Sequence, residues 1–176
     1  MPEWPVRDSR VEHENPYFRV RSDTVERTDG TTGEYYWLDQ TDDVCVVALT
    51  DGGELVLVEQ YRPRLRGTFL ECPAGKCDGD EPPTRAAARE LEEETGYVAG
   101  ELTVLRSYHA SGWERNRQHV VFATDLEPGE QALDPGETDI AVRHVPVGSA
   151  FERARESPTV GWLLTPLLVA RDAGRL

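Results

Sequence analysis

Between Pro82 and Gly96 the chain specifies a helix and leaves little room for any other outcome. Pro82-Pro83 preset φ for a first turn, residues 84–95 are mostly strong helix formers, and Gly96 stands where a left-handed cap ends a helix. At about 100° per residue, Glu90, Glu93 and Glu94 fall within about 100° of one another, while Glu92 points to the far side. Ala87, Ala88 and Leu91 form the adjoining face, which predicts a helix lying on a sheet with small side chains that allow close backbone approach. Like charges at i, i+3 and i+4 cost a few tenths of a kcal/mol per pair, so three carboxylates on one face call for a cation. A solvated acidic surface is the plain alternative. A hard divalent ion is the chemical one, since Mg²⁺ takes carboxylate oxygens, keeps waters and pairs with phosphates.

Strand signals surround this helix. Alternation in Tyr17–Arg21 and Tyr35–Leu38, separated by Asp29-Gly30 and Gly33, predicts an antiparallel hairpin. The β-branched run Val44–Leu49, the turn Asp51-Gly52-Gly53 and the alternating Leu55–Tyr61 predict a second hairpin with a buried first strand. A short strand, Thr68–Cys72, ends in Pro73-Ala74-Gly75 and leads into the helix. Three strand-like runs follow, Leu102–Tyr108, His119–Thr124 and Ile140–Val147, and then two helical patterns near 148–156 and 159–172. Residues 1 to about 15, polar and interrupted by prolines, are expected to be an irregular or loosely docked arm.

Composition narrows the function. With 19 Lys+Arg against 33 Asp+Glu, the formal charge of −14 would repel nucleic acid, and Lys76 is the one lysine. The acid is spread along the whole chain, as a solvated surface adapted to high salt would be, or as an arginine-biased genome would leave it. Cys45, Cys72 and Cys77 lack metal-ligand spacing and read as reduced thiols; Met1–Asp8 shows no apolar h-region, and Thr165 and Pro166 break the longest apolar stretch. A cytoplasmic protein with neither nucleic-acid nor membrane partner is expected.

Gly75, five residues, Glu81, seven residues, Arg89-Glu90-Leu91, one residue, Glu93-Glu94, one residue and Gly96-Tyr97 follow one another without a deviation. This spacing resembles the Nudix box at every specified position. The resemblance implies an α/β fold of the α+β kind, a mixed β-sheet sandwiched between α-helices with an N-terminal antiparallel β extension. It further implies Mg²⁺- or Mn²⁺-dependent hydrolysis of a nucleoside diphosphate linked to another group. By the family pattern Glu90 and Glu94 are metal ligands, Glu93 is a ligand or the base that holds the attacking water, Arg89 orients a glutamate, and the carbonyl of Ala74 completes the coordination.

Glu59-Gln60-Tyr61-Arg62 and Leu70-Glu71-Cys72-Pro73-Ala74-Gly75 are similar to the ADP-ribose pyrophosphatase branch. That likeness makes Arg62 and Glu71 candidate substrate contacts, with Arg64 and Arg66 adding positive charge for an anionic substrate. In the acidic run Asp134–Asp139, Glu137 is the first candidate for a loop-borne general base and Asp139 the second. Tyr35, Tyr36 and Trp37 are candidates for stacking on a base or, as commonly, for sheet packing, and His109 reads as structural. Relatives in this branch pair through their N-terminal sheets, so residues 1–40 are expected to be a dimerisation extension and 41–176 the hydrolase domain. No proline occurs between Pro83 and Pro128, where the branch carries one, and two other readings stay open. One is a nucleoside triphosphate or dinucleoside polyphosphate hydrolase; the other is a non-catalytic domain that binds a nucleotide sugar.

Overall fold

In the computed structural model, which describes residues 3–133 and 139–176, the chain divides into two compact units. The first comprises the residues up to Asp42 together with Tyr108–Arg117. Its frame is a three-stranded antiparallel sheet of β1 (Val6–Glu14), β2 (Arg19–Glu26) and β3 (Thr32–Asp39), paired in that order. The arm expected over the first fifteen residues is thus largely a strand. Every residue of β1 is exposed, so no apolar alternation marks it; the backbone ladder to β2 defines it, with Arg7 on Glu26 and Ser9 on Asp23 added across the pair. Segment 108–117 is tied to this sheet by Leu38 N–H donating to Trp113 O at 2.7 Å and by the Arg117 guanidinium on Asp42 at 2.8 Å. The guanidinium of Arg115 stacks 3.6 Å from the centre of Trp37 and pairs with Asp23, so the indole face is already occupied. His109 Nδ1 lies 3.1 Å from Asn116 O.

The second unit, Asp43–Ser107 with Gln118–Leu176, is a seven-stranded mixed sheet between helices. Its strands are β4 (Asp43–Leu49), β5 (Glu54–Arg62), β6 (Gly67–Glu71), β7 (Ala74–Lys76), β8 (Tyr97–Tyr108), β9 (Gln118–Pro128) and β10 (Ile140–Pro146). The order β10-β5-β4-β9-β8 places the two most apolar strands at the centre, with β6 paired to β5 and β7 to β4. Only β4 and β9 run parallel among the paired strands with a described register. The helices are α1 (Pro83–Thr95), α2 (Val147–Arg155) and α3 (Gly161–Asp172).

Side-chain alternation along β4 assigns the layers. Val44, Val46 and Ala48 pack with Val56, Ala86, Ala87 and Leu91 beneath α1. Cys45 turns the other way, and its thiol donates to Trp162 O of α3 at 3.6 Å. Leu55, Val56, Leu57 and Val58 are all fully buried, as a strand covered on both faces requires, and each contributes about 1.5–3 kcal/mol. α1 ends as its sequence dictates: Gly96 adopts φ 76° and donates its N–H to Glu92 O. β7 is too short for a periodic signal, yet its three residues carry the backbone to the foot of α1.

Candidate active site

The acidic face of α1 lies over β7, and the contact is tight. A Cβ on Gly75 would fall 2.1 Å from Glu90 Cδ, so the absence of a side chain at residue 75 is what lets the Glu90 carboxylate rest on the strand. Glu90 is 7% exposed and Glu94 2%, whereas Glu92 is exposed as its helical phase requires. Withdrawing carboxylates from water is costly unless donors meet them, and such groups mark functional sites.

Arg89 is the hub of the donors. Its Nη1 donates to Glu90 Oε1 at 2.7 Å and to Glu93 Oε2 at 3.1 Å; its Nη2 donates to Lys76 O at 2.8 Å and to Glu81 Oε2 at 3.2 Å. Arg89 Nε is buried and meets no acceptor among the described residues. Burial alone would lower the guanidinium pKa, but the bonds to Glu90, Glu81 and Glu93 outweigh it and raise the value, fixing the charge. Glu81 is a site residue to which the sequence reading assigns no role; its place in the box spacing is the signal that identifies it. Burial would raise its pKa, and the Asp78 N–H and Arg89 outweigh that to lower it.

Glu94 Oε2 accepts from Ala74 N–H at 3.0 Å, joining the helix to the strand whose carbonyl is the expected fourth ligand. At the end of α1, Gln131 Nε2 donates to Glu94 O at 2.6 Å and to Ile140 O at 3.3 Å, and Ala132 N–H donates to Glu93 O at 3.0 Å. No sequence signal marks Gln131, since its partners are backbone carbonyls, which carry no residue-type signature.

One guanidinium among three carboxylates leaves an acidic surplus of the kind a hard divalent cation would offset. The donor set fits such an ion: carboxylate oxygens of Glu90, Glu93 and Glu94 with the carbonyl of Ala74, all hard ligands beside a glycine that leaves room. Among the described residues no three acidic, His or Cys side chains converge tightly enough to enclose an ion, because each glutamate is turned to a donor of the protein itself.

The expected substrate residues sort into two groups. Arg62 Nε donates to Glu71 Oε1 at 2.8 Å and Arg62 Nη2 to Glu71 Oε2, so these two form a fork with each other. Arg64 and Arg66 are exposed in the turn between β5 and β6, Arg66 with φ 55°. Glu137 lies outside the described residues; Asp139 is exposed just before β10. Tyr35 and Tyr36 are exposed on β3.

Comparison with known proteins places this geometry. Residues 39–163 match the NUDIX domain, and residues 4–38 the nucleoside diphosphate sugar hydrolase N-terminal domain. An ADP-ribose pyrophosphatase of Bacillus subtilis is 40% identical over 97 residues, 54% of this chain and 52% of that protein. The chain therefore spans about half the length of that relative. An ADP-ribose pyrophosphatase of Mycobacterium tuberculosis is 32% identical over 148 residues, 82% of this chain and 72% of that protein. The crystal structure of an ADP compounds hydrolase superposes with a TM-score of 0.87 over 100% of this chain and 98% of its own, at 22% identity, a likeness of fold. With a family match that takes in Gly75, the acidic face of α1 and Arg89, the chain belongs to the Nudix family, whose members generally use divalent metal ions.

Proposed function

We propose that this chain hydrolyses the pyrophosphate bond of a nucleoside diphosphate sugar, foremost ADP-ribose, to AMP and ribose 5-phosphate. One observation carries the reading: buried Glu90, seated on Gly75 and ordered by Arg89, and buried Glu94, held by the Ala74 N–H, share a unit with the arginine fork of β5 and β6. The names of the Bacillus subtilis and Mycobacterium tuberculosis relatives support the choice of ADP-ribose. Glu90, Glu94, Glu93 and the Ala74 carbonyl would hold Mg²⁺ or Mn²⁺, which when bound neutralises the diphosphate and acidifies a water.

The residues of the chain divide the remaining work. Arg89 holds the carboxylates of Glu90 and Glu93 in place by a shared Nη1. Glu93 is the nearer candidate to take the proton of the attacking water, and Glu137 the loop-borne one. Arg62 supplies a planar donor edge to a phosphate, with Arg64 and Arg66 adding charge nearby. Trp4, Val6, Val11 and Tyr36, exposed in the N-terminal unit, support pairing of that unit with a second copy.

The test is incubation with Mg²⁺ or Mn²⁺ and a panel of ADP-ribose, other nucleotide sugars, diadenosine polyphosphates and nucleoside triphosphates, with products separated by chromatography. AMP and ribose 5-phosphate from ADP-ribose, with the triphosphates untouched, is the expected result. Inorganic pyrophosphate released from triphosphates would replace it with the triphosphatase reading, and inertness toward the whole panel would favour a binding domain.

A further inference from the structure

Glu71 is 0% exposed, yet it lies outside α1 and outside the metal donor set. In the ladder of β5 and β6 it stands opposite Val58, while Arg62 stands opposite Gly67. The two side chains therefore share a face of the sheet but start four residues apart, about 13 Å at the rise of a strand. Their fork closes only with Arg62 lying back along β5 toward the Pro73–Gly75 end of the hairpin. Gly67, opposite Arg62, contributes no side chain of its own there.

We propose that Glu71 is a positioning residue, which holds Arg62 as a ready-made donor edge for the diphosphate and does not itself touch the substrate; this rests on the function proposed above. A carboxylate facing a diphosphate would repel it. Here both carboxylate oxygens are spent on Nε and Nη2, and the arginine side chain keeps 31% exposure against 0% for the glutamate. The guanidinium plane has five N–H donors in a rigid array, so pinning one edge aims the other. The arginine is then ordered before substrate arrives, which lowers the entropic cost of binding.

Steady-state kinetics with ADP-ribose at saturating Mg²⁺ on the full chain tests this with Glu71→Gln, Arg62→Ala and the double variant. Glu71→Gln keeps the shape of the side chain but turns an amide toward the guanidinium. It should raise KM about 10-fold with kcat within about 3-fold of wild type, and should add nothing to KM once Arg62 is alanine. A protected Arg62 Nε–H resonance in ¹⁵N NMR should be lost in the same variant. An unchanged KM, or a full added effect in the Arg62→Ala background, overturns the proposal. If Glu71→Gln does not fold, Glu71→Asp, which keeps the charge but not the reach, carries the same comparison. If the wild type leaves ADP-ribose intact, the substrate reading fails on its own. Calorimetry with Mg²⁺ and inorganic pyrophosphate then decides: about 10-fold weaker binding by Glu71→Gln sustains the positioning role, and equal binding removes it.

Discussion

Glu71, Glu90 and Glu94 are withdrawn from water, and each is met by a different kind of donor: a guanidinium fork, a shared guanidinium and a backbone amide. Replacing Glu90 or Glu94 by Gln keeps size and removes charge. Turnover should fall more than about 100-fold, because a bound metal contributes several kcal/mol of charge stabilisation, while circular dichroism stays native. Wild-type rates in either variant would dismiss the helix face as the metal site. Gly75→Ala puts a methyl where Glu90 rests, so activity should drop at least about 10-fold with a weakened Mg²⁺ response, checked by metal titration. Glu81 sets an acid limit. Its carboxyl is depressed in the fold below the ordinary 4.5, so it adds stability above that pH and loses it as pH falls through the folded value. Melting temperature should therefore decline less steeply from about pH 6 to pH 3 in Glu81→Gln than in wild type; parallel curves would take Glu81 out of the account.

At the scale of elements, the end of α1 is held by its cap and by the chain after β9. Gln131→Ala frees the carbonyls of Glu94 and Ile140, and should cost about 1–2 kcal/mol, a lowering of Tm by about 2–8 °C in a scanning melt. The helix itself is legible in the sequence because propensity, cap and facial charge agree over its whole length. The strands Val44–Leu49 and Leu55–Tyr61 are legible because Val44–Ala48 and Leu55–Val58 are buried on both faces and are apolar, many of them β-branched. β1 is not, since all nine of its residues are exposed and its partners, through the backbone ladder and through pairs such as Arg7–Glu26 and Ser9–Asp23, lie on another strand. Nor is the Arg62–Glu71 fork: both residues can be named as candidates, but their mutual pairing depends on the register of β5 with β6. Segment 108–117 joins the N-terminal sheet through bonds between residues 75 or more apart in sequence, beyond the reach of any local pattern.

Taken as a whole molecule, the chain carries 33 acidic against 19 basic residues and one lysine. Surface repulsion of that size is screened within about 3 Å at molar salt, so Tm should rise between about 0.1 and 2 M KCl; an unmoved Tm would set aside adaptation to a saline interior. No helix among the described residues is long and apolar enough to cross a membrane. The parallel union of β4 with β9 has a kinetic consequence. Asp43 meets Gln118 and Ala48 meets Ala123, so the centre of the sheet waits for a chain segment made long after β4 itself. During synthesis the stretch from Gly75 to Tyr97 leaves the ribosome before β9, the floor beside β4, exists. The acidic helix therefore has no finished bed until residue 123 is out, and assembly is governed by one distant closure rather than by the local hairpins.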